Sequence, residues 1–374
     1  MTEDVVLKSK MIIAALKKYG EVNFRALGRS MQPIINDGDT VTVVSINRRK
    51  LKFGQIVCFQ NAKNDIVLHK LIFDGGDKIF TWGVNNRFLD EPVCKINLLG
   101  YVDSISVNES LVNRLYESEF NGIKKLLRDE NLHILKGSLW FKKRFGYHPN
   151  KQSSDLDLLI DIKDFEPIKN RLLTNGFFQV TSEDIEGVEK TEVTFSKAYP
   201  GFYLVLDLHR SPLTVNWTRF FNYKERLEII PQFNMYLQKH KTKIGFKITM
   251  FDDTTQLLYQ CMNMFFHHGV KGVMQLSVIA KIVQDGKVNW TEFWFIANRY
   301  KVNNYIYFPL SLVNRLFGLN IPFFFENRPR IWARIAMRLF VNRFTVFDFS
   351  GGPNKWKAMI HNKLISLMAI MVQI

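Results

Sequence analysis

The sequence predicts a multidomain α+β protein: a small, mostly antiparallel β domain, then an α/β domain, then a helical C-terminal part. Three observations lead there. The chain has 374 residues, more than one hydrophobic core usually serves. From Phe24 to Ser106, short β-branched runs are separated by Gly, Asn and Asp turns, the pattern of short antiparallel strands. From about Thr254 onward, apolar residues recur mostly at helical spacing, as buried helices require.

In chain order, residues 1–20 carry Val5, Ile12, Ile13 and Leu16 on one side and Lys8, Lys10, Lys17 and Lys18 mostly on the other, which predicts an amphipathic helix. The runs TVTVVSI, GQIVCF, DIVLHKLIF and KIFTWG are the expected strands of the β domain. Helical spacing returns in ESLVNRLYESEFNGIKKLLRDE, Glu109 to Glu130, which reads as a connector. From His133 to Arg210, helix and strand signals alternate, as an α/β or α+β unit requires. The expected divisions are 1–108, 109–235 and 236–374. Adjacent histidines on a helix face different directions, so His267 and His268 read as packing or capping residues. The clusters FFNY, MFFHHG and PFFFEN read as filling of the helical core.

Composition narrows the function classes without choosing one. Hydrophobic residues make up 47% and charged residues 23%, ordinary for a globular protein, which argues against extended disorder. The 51 basic and 35 acidic residues leave a net charge of +16. That favours nucleotides, nucleic acid or anionic membrane surfaces as partners, and nothing else in the chain points to nucleic acid. Cys58, Cys94 and Cys261 are far apart and form no CxxC, so neither a disulfide framework nor a zinc site is expected, and a cytoplasmic setting fits. The start, MTEDVVLKSKMIIAALKKYG, lacks the apolar core of a secretory signal. The apolar run Leu364 to Ile374 has about half the length a membrane-spanning helix needs.

The first candidate constellation is Ser30, His69 and Asp90. Ser30 lies in LGRSMQPIINDGDTVTV between Gly28 and Pro33, in a turn that can expose its hydroxyl. A serine hydroxyl is a poor nucleophile until a base takes its proton, and a third group usually orients that base. His69 lies in the strand DIVLHKLIF and Asp90 in TWGVNNRFLDEP. Singly, a serine in a turn and a histidine in a strand are ordinary. In order, however, SMQP, GDTV, FGQIVCF, VLHK, TWGVNNRFLDEP and LLGYV resemble the signal peptidase I superfamily over about residues 22–105. VLHK resembles the histidine version of that family. The resemblance implies Ser30 as nucleophile, His69 as general base, Asp90 as the orienting carboxylate, and a peptide or protein substrate. Val84 stands where the family has an acidic residue.

The second constellation begins in SSDLDLLID. Asp155 and Asp157 are two apart, so in a strand they share a face, while Leu156, Leu158 and Ile160 point into a core. A second strand, GFYLVLDLHR, puts Asp207 and His209 on one face. Convergent carboxylates suit a hard divalent cation such as Mg²⁺. Upstream, HILKGSLW offers a turn at Gly137 and Ser138 before a helix, where backbone N–H groups suit a phosphate. The basic residues Lys142, Lys143 and Arg144 follow. An isolated DxD reads as a solvated surface strand, but LKGS, SDLDLLI and LDLHR in that order resemble a bacterial group of DNA polymerase beta-like nucleotidyltransferases over about residues 131–323. The resemblance implies metal ligands at Asp155, Asp157 and Asp207, nucleotide contact at Lys136, Gly137 and Ser138, and a nucleoside triphosphate with Mg²⁺. Changing Asp155 and Asp157 to Asn is expected to hold or raise stability by relieving carboxylate repulsion.

Two function classes follow. In the first, the chain fuses a serine peptidase to a Mg²⁺-dependent nucleotidyltransferase. In the second it is a non-catalytic scaffold with a decayed peptidase domain that binds nucleotide or peptide. Complete sets of Ser/His and carboxylate residues favour the enzyme, because unused polar groups are costly to bury.

Overall fold

The computed structural model describes residues 3–32, 34–46, 51–86, 89–105, 109–127, 130–146, 155–180, 184–185, 188–189, 192–199, 202–213, 223–266 and 273–322. They fall into two compact units that divide after Phe120.

The first unit opens with α1 (Glu3–Tyr19), followed by β1 (Glu21–Arg25), β2 (Thr40–Ser45), β3 (Ile56–Gln60), β4 (Ile66–Asp74), β5 (Lys78–Trp82), β6 (Val93–Cys94) and β7 (Leu98–Ile105). All seven strands join one antiparallel sheet in the order β1-β2-β7-β3-β4-β5-β6. β3 is buried on both faces. Ile56 and Cys58 join Val41, Val43 and Leu16 in one cluster, and Val57 and Phe59 join Leu71, Ile79 and Leu98 in another. That two-sided burial is why IVCF reads as a continuous apolar run rather than an alternating one. Burial pushes the Cys58 thiol up to about 12, which keeps it unreactive.

α2 (Glu109–Leu126) runs across the division between the units. The second unit contains β8 (Leu132–Lys136), α3 (Gly137–Phe145), β9 (Asp155–Leu159), α4 (Phe165–Thr174), β10 (Phe178–Gln179), β11 (Asp184–Ile185), β12 (Val188–Glu189), β13 (Glu192–Tyr199) and β14 (Phe202–His209). Next come α5 (Tyr223–Lys239), β15 (Thr242–Gly245) and β16 (Ile248–Met250). The chain then turns helical with α6 (Asp253–Phe266), α7 (Val273–Gln284), α8 (Trp290–Arg299) and α9 (Asn303–Phe317). The sheet order is β10-β13-β14-β9-β8-β16-β15, and β11 pairs only with β12.

β9 lies at the sheet's centre, antiparallel to β8 and parallel to β14. One face of β14 is apolar, with Leu204, Leu206 and Leu208 fully buried, and the other carries Asp207 and His209. The expected boundary at 235/236 falls inside α5, and β15 and β16 complete the sheet beside β8, so the helical part begins at Asp253. β15 is largely exposed and β16 is only three residues long, so the hairpin lacks the apolar alternation that would mark it in the sequence. α6 is buried from Thr254 to Phe266 and forms the centre of the helical layer. α9 ends at Gly318, whose φ of 67° is the left-handed cap that glycine tolerates.

Among the described residues no helix is long and apolar enough to cross a membrane. His267, His268 and the apolar run from Leu364 lie outside the described residues.

Candidate functional site

The turn that carries Ser30 is built locally. The Gly28 N–H donates to Asp37 Oδ1 at 2.8 Å, the Ala26 N–H donates to the Asp39 carbonyl and the Gly38 N–H to the Ala26 carbonyl, each at 2.8 Å. Met31 anchors the turn by burying its side chain. β4 carries His69 opposite Val57 of β3, and His69 Nε2 lies 2.9 Å from Ser30 Oγ. On the far side of the ring, His69 Nδ1 lies 2.6 Å from Asp90 Oδ2. Three side chains distant in sequence thus meet in one hydrogen-bonded row. With Nδ1–H donating to Asp90, Nε2 is left to accept the serine proton, which is the geometry a base-activated hydroxyl needs.

Two further residues, absent from the sequence reading, complete this row. The Thr81 hydroxyl donates to the same Asp90 Oδ2 at 2.6 Å. The loop after β5 closes over the turn: the Asn85 N–H donates to the Ser30 carbonyl at 2.8 Å, and Asn85 Nδ2 donates to the Arg29 carbonyl at 2.9 Å. Val84 packs against the core cluster of Met31 and Ile35.

The second site is assembled on the central strands of the other sheet. In the parallel pairing of β9 and β14, Asp157 stands directly beside Asp207 and Asp155 beside Val205. On the other side, Lys136 of β8 pairs with Asp157. Asp157 is withdrawn from solvent, only 1% exposed. Its charge is held by neighbours. Lys136 Nζ lies 3.2 Å and His209 Nε2 3.0 Å from the same oxygen, Oδ1. Burial alone would raise its pKa, yet Lys136 and His209 hold it well below the usual carboxylate range.

Asp207 behaves oppositely. Burial, the Asp157 charge and the Glu192 charge push its carboxyl up to about 7, although Thr194 hydrogen-bonds to it. Glu192 stands opposite His209 across β13 and β14, with Oε2 3.6 Å from His209 Nδ1. Tyr259 of α6 is fully buried, and Lys136, Asp157 and Glu192 all act on its hydroxyl electrostatically. Neither Glu192 nor Tyr259 belongs to a motif, so only their place in the fold brings them here.

The turn before the helix is as expected. Gly137 has a φ of 83°, and it lets β8 turn directly into α3 while bridging back to Leu156. The N-terminal N–H groups of α3 therefore start next to β9. The side chains of Ser138 and Asp155 lie outside the described residues. Arg144 is bound to carboxylates: Nε donates to Asp253 Oδ1 at 2.8 Å and Nη2 lies 3.0 Å from Asp285 Oδ2.

Among the described residues no three His, Cys, Asp or Glu side chains are grouped to hold a metal ion. Two oxygens nevertheless fit part of a shell for Mg²⁺. Asp157 Oδ2 and Asp207 Oδ1 are buried and have no hydrogen-bond partner among the described residues. Carboxylate oxygens on neighbouring strands, unpartnered among the described residues, are the donor type a hard divalent cation takes.

The sequence profile of a family described as "Uncharacterised nucleotidyltransferase" matches residues 92–318. Among curated proteins none matches the chain. Among solved structures, the crystal structure of JHP933 from Helicobacter pylori aligns with 15% identity and a TM-score of 0.30 over 72% of this chain and 92% of that one.

Proposed function

Because the chain belongs to this nucleotidyltransferase family, we propose that its second unit transfers a nucleoside monophosphate from a nucleoside triphosphate to an acceptor group. The observation that carries the reading is the register of Asp157 beside Asp207, each with a buried oxygen unpartnered among the described residues. Asp157 and Asp207, with Asp155, would hold Mg²⁺, which when bound offsets phosphate charge and lowers the pKa of the attacking hydroxyl. The chain's own residues do the rest. Lys136 and His209 keep Asp157 ionised, and the N–H groups that open α3 at Gly137 and Ser138 face anionic oxygens favourably. Lys136 adds positive charge at the same end.

The test is calorimetric titration of nucleoside triphosphates with and without Mg²⁺, followed by incubation with labelled triphosphate and cell extract. Mg²⁺-dependent binding that Asp157→Asn and Asp207→Asn each weaken supports the reading. Nucleotide binding indifferent to Mg²⁺ and to both substitutions overturns it.

A second reading rests on its own observation, the row Ser30, His69, Asp90 with spacings of 2.9 and 2.6 Å. In this reading residues 1–108 form a serine peptidase of the signal-peptidase type acting on a peptide or protein in the cytoplasm, followed from residue 109 by the transferase, whose helical part begins at Asp253. His69 takes the Ser30 proton as the hydroxyl attacks the scissile carbonyl, and Asp90 holds the ring. Loss of peptide cleavage in Ser30→Ala supports it. Equal cleavage by both proteins removes it, and inertness of the wild type toward a peptide library favours the scaffold alternative.

A further inference from the structure

We infer that His209 is a positioning residue of the transferase site: it turns the Asp157 carboxylate so that Oδ2 alone faces the metal and nucleotide. The inference rests on the transferase reading and goes beyond it by assigning a role to a side chain that would hold no ligand itself. His209 is 2% exposed. In register it pairs with Leu159, two residues beyond Asp157, and its ring leans back along β9 to place Nε2 3.0 Å from Asp157 Oδ1. Lys136 Nζ approaches the same oxygen at 3.2 Å.

Both donors therefore converge on one carboxylate oxygen, while Oδ2 has no hydrogen-bond partner among the described residues. The two donors differ in stiffness. Lys136 is a long chain with a rotatable ammonium, which can follow the carboxylate if it turns. His209 is a flat, buried ring whose nitrogens hold fixed places on it. Glu192 Oε2 lies 3.6 Å from Nδ1 on the far side, so the ring is flanked by carboxylates at both nitrogens. A ligating carboxylate that is hydrogen-bonded from behind keeps its orientation before the ion arrives, and that preparation is lost when the donor is lost.

Two amides separate the role from mere filling of space. The Gln side chain puts its N–H near the position of His Nε2, whereas the Asn side chain reaches only as far as Nδ1. The experiment titrates Mn²⁺ alone, without nucleotide, into the full-length protein, following free Mn²⁺ by electron paramagnetic resonance, with melting temperatures measured alongside. The expected result is Mn²⁺ affinity about 10-fold or more weaker in His209→Asn, with His209→Gln within about 3-fold of wild type. Asn and wild type binding alike would overturn the inference, as would equal losses in Asn and Gln that track equal drops in melting temperature. Should His209→Asn fail to fold, His209→Met replaces it: it fills the space without a donor, an affinity loss of about 10-fold is expected, and an unchanged affinity overturns the inference. Asp157→Asn identifies the site. If wild type binds no Mn²⁺, or Asp157→Asn binds it equally well, the transferase reading of these residues fails and this inference falls with it.

Discussion

A Cβ atom added at Gly83 would lie 2.7 Å from His69 Nε2, the nitrogen that faces the Ser30 hydroxyl, and 2.9 Å from the Ser30 carbonyl oxygen. No rotamer of an added side chain avoids both, because the Cβ itself is the clash. Gly83→Ala is therefore expected to displace the imidazole or the serine turn. A shift of about 1 Å at a reacting pair costs on the order of 100-fold in rate, and overpacking costs about 1–3 kcal/mol of stability. Peptide-cleavage rates and thermal melts of the two proteins check both, and cleavage at the wild-type rate would remove His69 from the role of base.

The Thr81 and His69 bonds end on the same oxygen of Asp90. Thr81→Val keeps the shape and removes one donor, leaving the carboxylate free to rock. The expected loss is about 1 kcal/mol of stability and roughly 10-fold in kcat/KM, carried by kcat, with Thr81→Ser restoring both. An unchanged kcat in the valine variant would show that His69 alone holds Asp90.

How much of this was legible in the sequence differs between the two sites. Ser30, His69 and Asp90 each sit in a short motif, and the motifs' order was enough to bring them together. Thr81 was hidden because a threonine in a strand is what β-propensity alone would place there. In the second unit, the alternation in DLDLL and YLVLDLH fixed which residues share a face, but strand order is not written in any one strand. That β9 and β14 are neighbours, and parallel, decides that Asp157 meets Asp207 and that His209 reaches Asp157. The role of Arg144 was not legible for a related reason. Its partners Asp253 and Asp285 lie far along the chain, and a basic run near a glycine turn looks the same whether it meets phosphate or carboxylate.

The two described carboxylates of the second site respond oppositely to charge removal. The folded-state pKa of Asp207 is raised from 3.8 to about 7, so between those values the folded protein binds a proton that the unfolded chain releases. Stability contributed by this group is full below the unfolded value and falls as pH rises toward 7. In metal-free buffer Asp207→Asn is expected to stabilise by on the order of 2 kcal/mol at pH 8, a gain that vanishes near pH 4. Melting curves at the two pH values check it, and a gain independent of pH would refute it.

Asp157 has a lowered pKa, so its contribution is present above the unfolded value and is lost as pH falls below it. Asp157→Asn leaves Lys136 and His209 without their counter-charge, and a loss of about 2–3 kcal/mol at pH 8 is expected. The stabilisation that repulsion between carboxylates would suggest thus belongs to Asp207 and not to Asp157. Chemical denaturation of the single variants distinguishes the two.

Arg144 joins α3 to Asp253 at the start of α6 and to Asp285 beyond α7, where Lys281 also holds Asp285 at 2.9 Å. Arg144→Met is expected to lower stability by about 2 kcal/mol and to leave nucleotide affinity unchanged. A selective loss of nucleotide binding with unaltered melting would overturn this structural role and place Arg144 at the nucleotide.

The parallel pairing of β9 with β14 also governs when the site comes into being. Adjacent antiparallel strands can zip from a tight turn, but a parallel pair must first close the long stretch of chain between them, and such non-local pairings form slowly. Helices α6 to α9 are made of local contacts and need not wait. During refolding, helical circular dichroism should therefore recover ahead of Mn²⁺ binding, and the carboxylate pair becomes a clock for the last step of assembly.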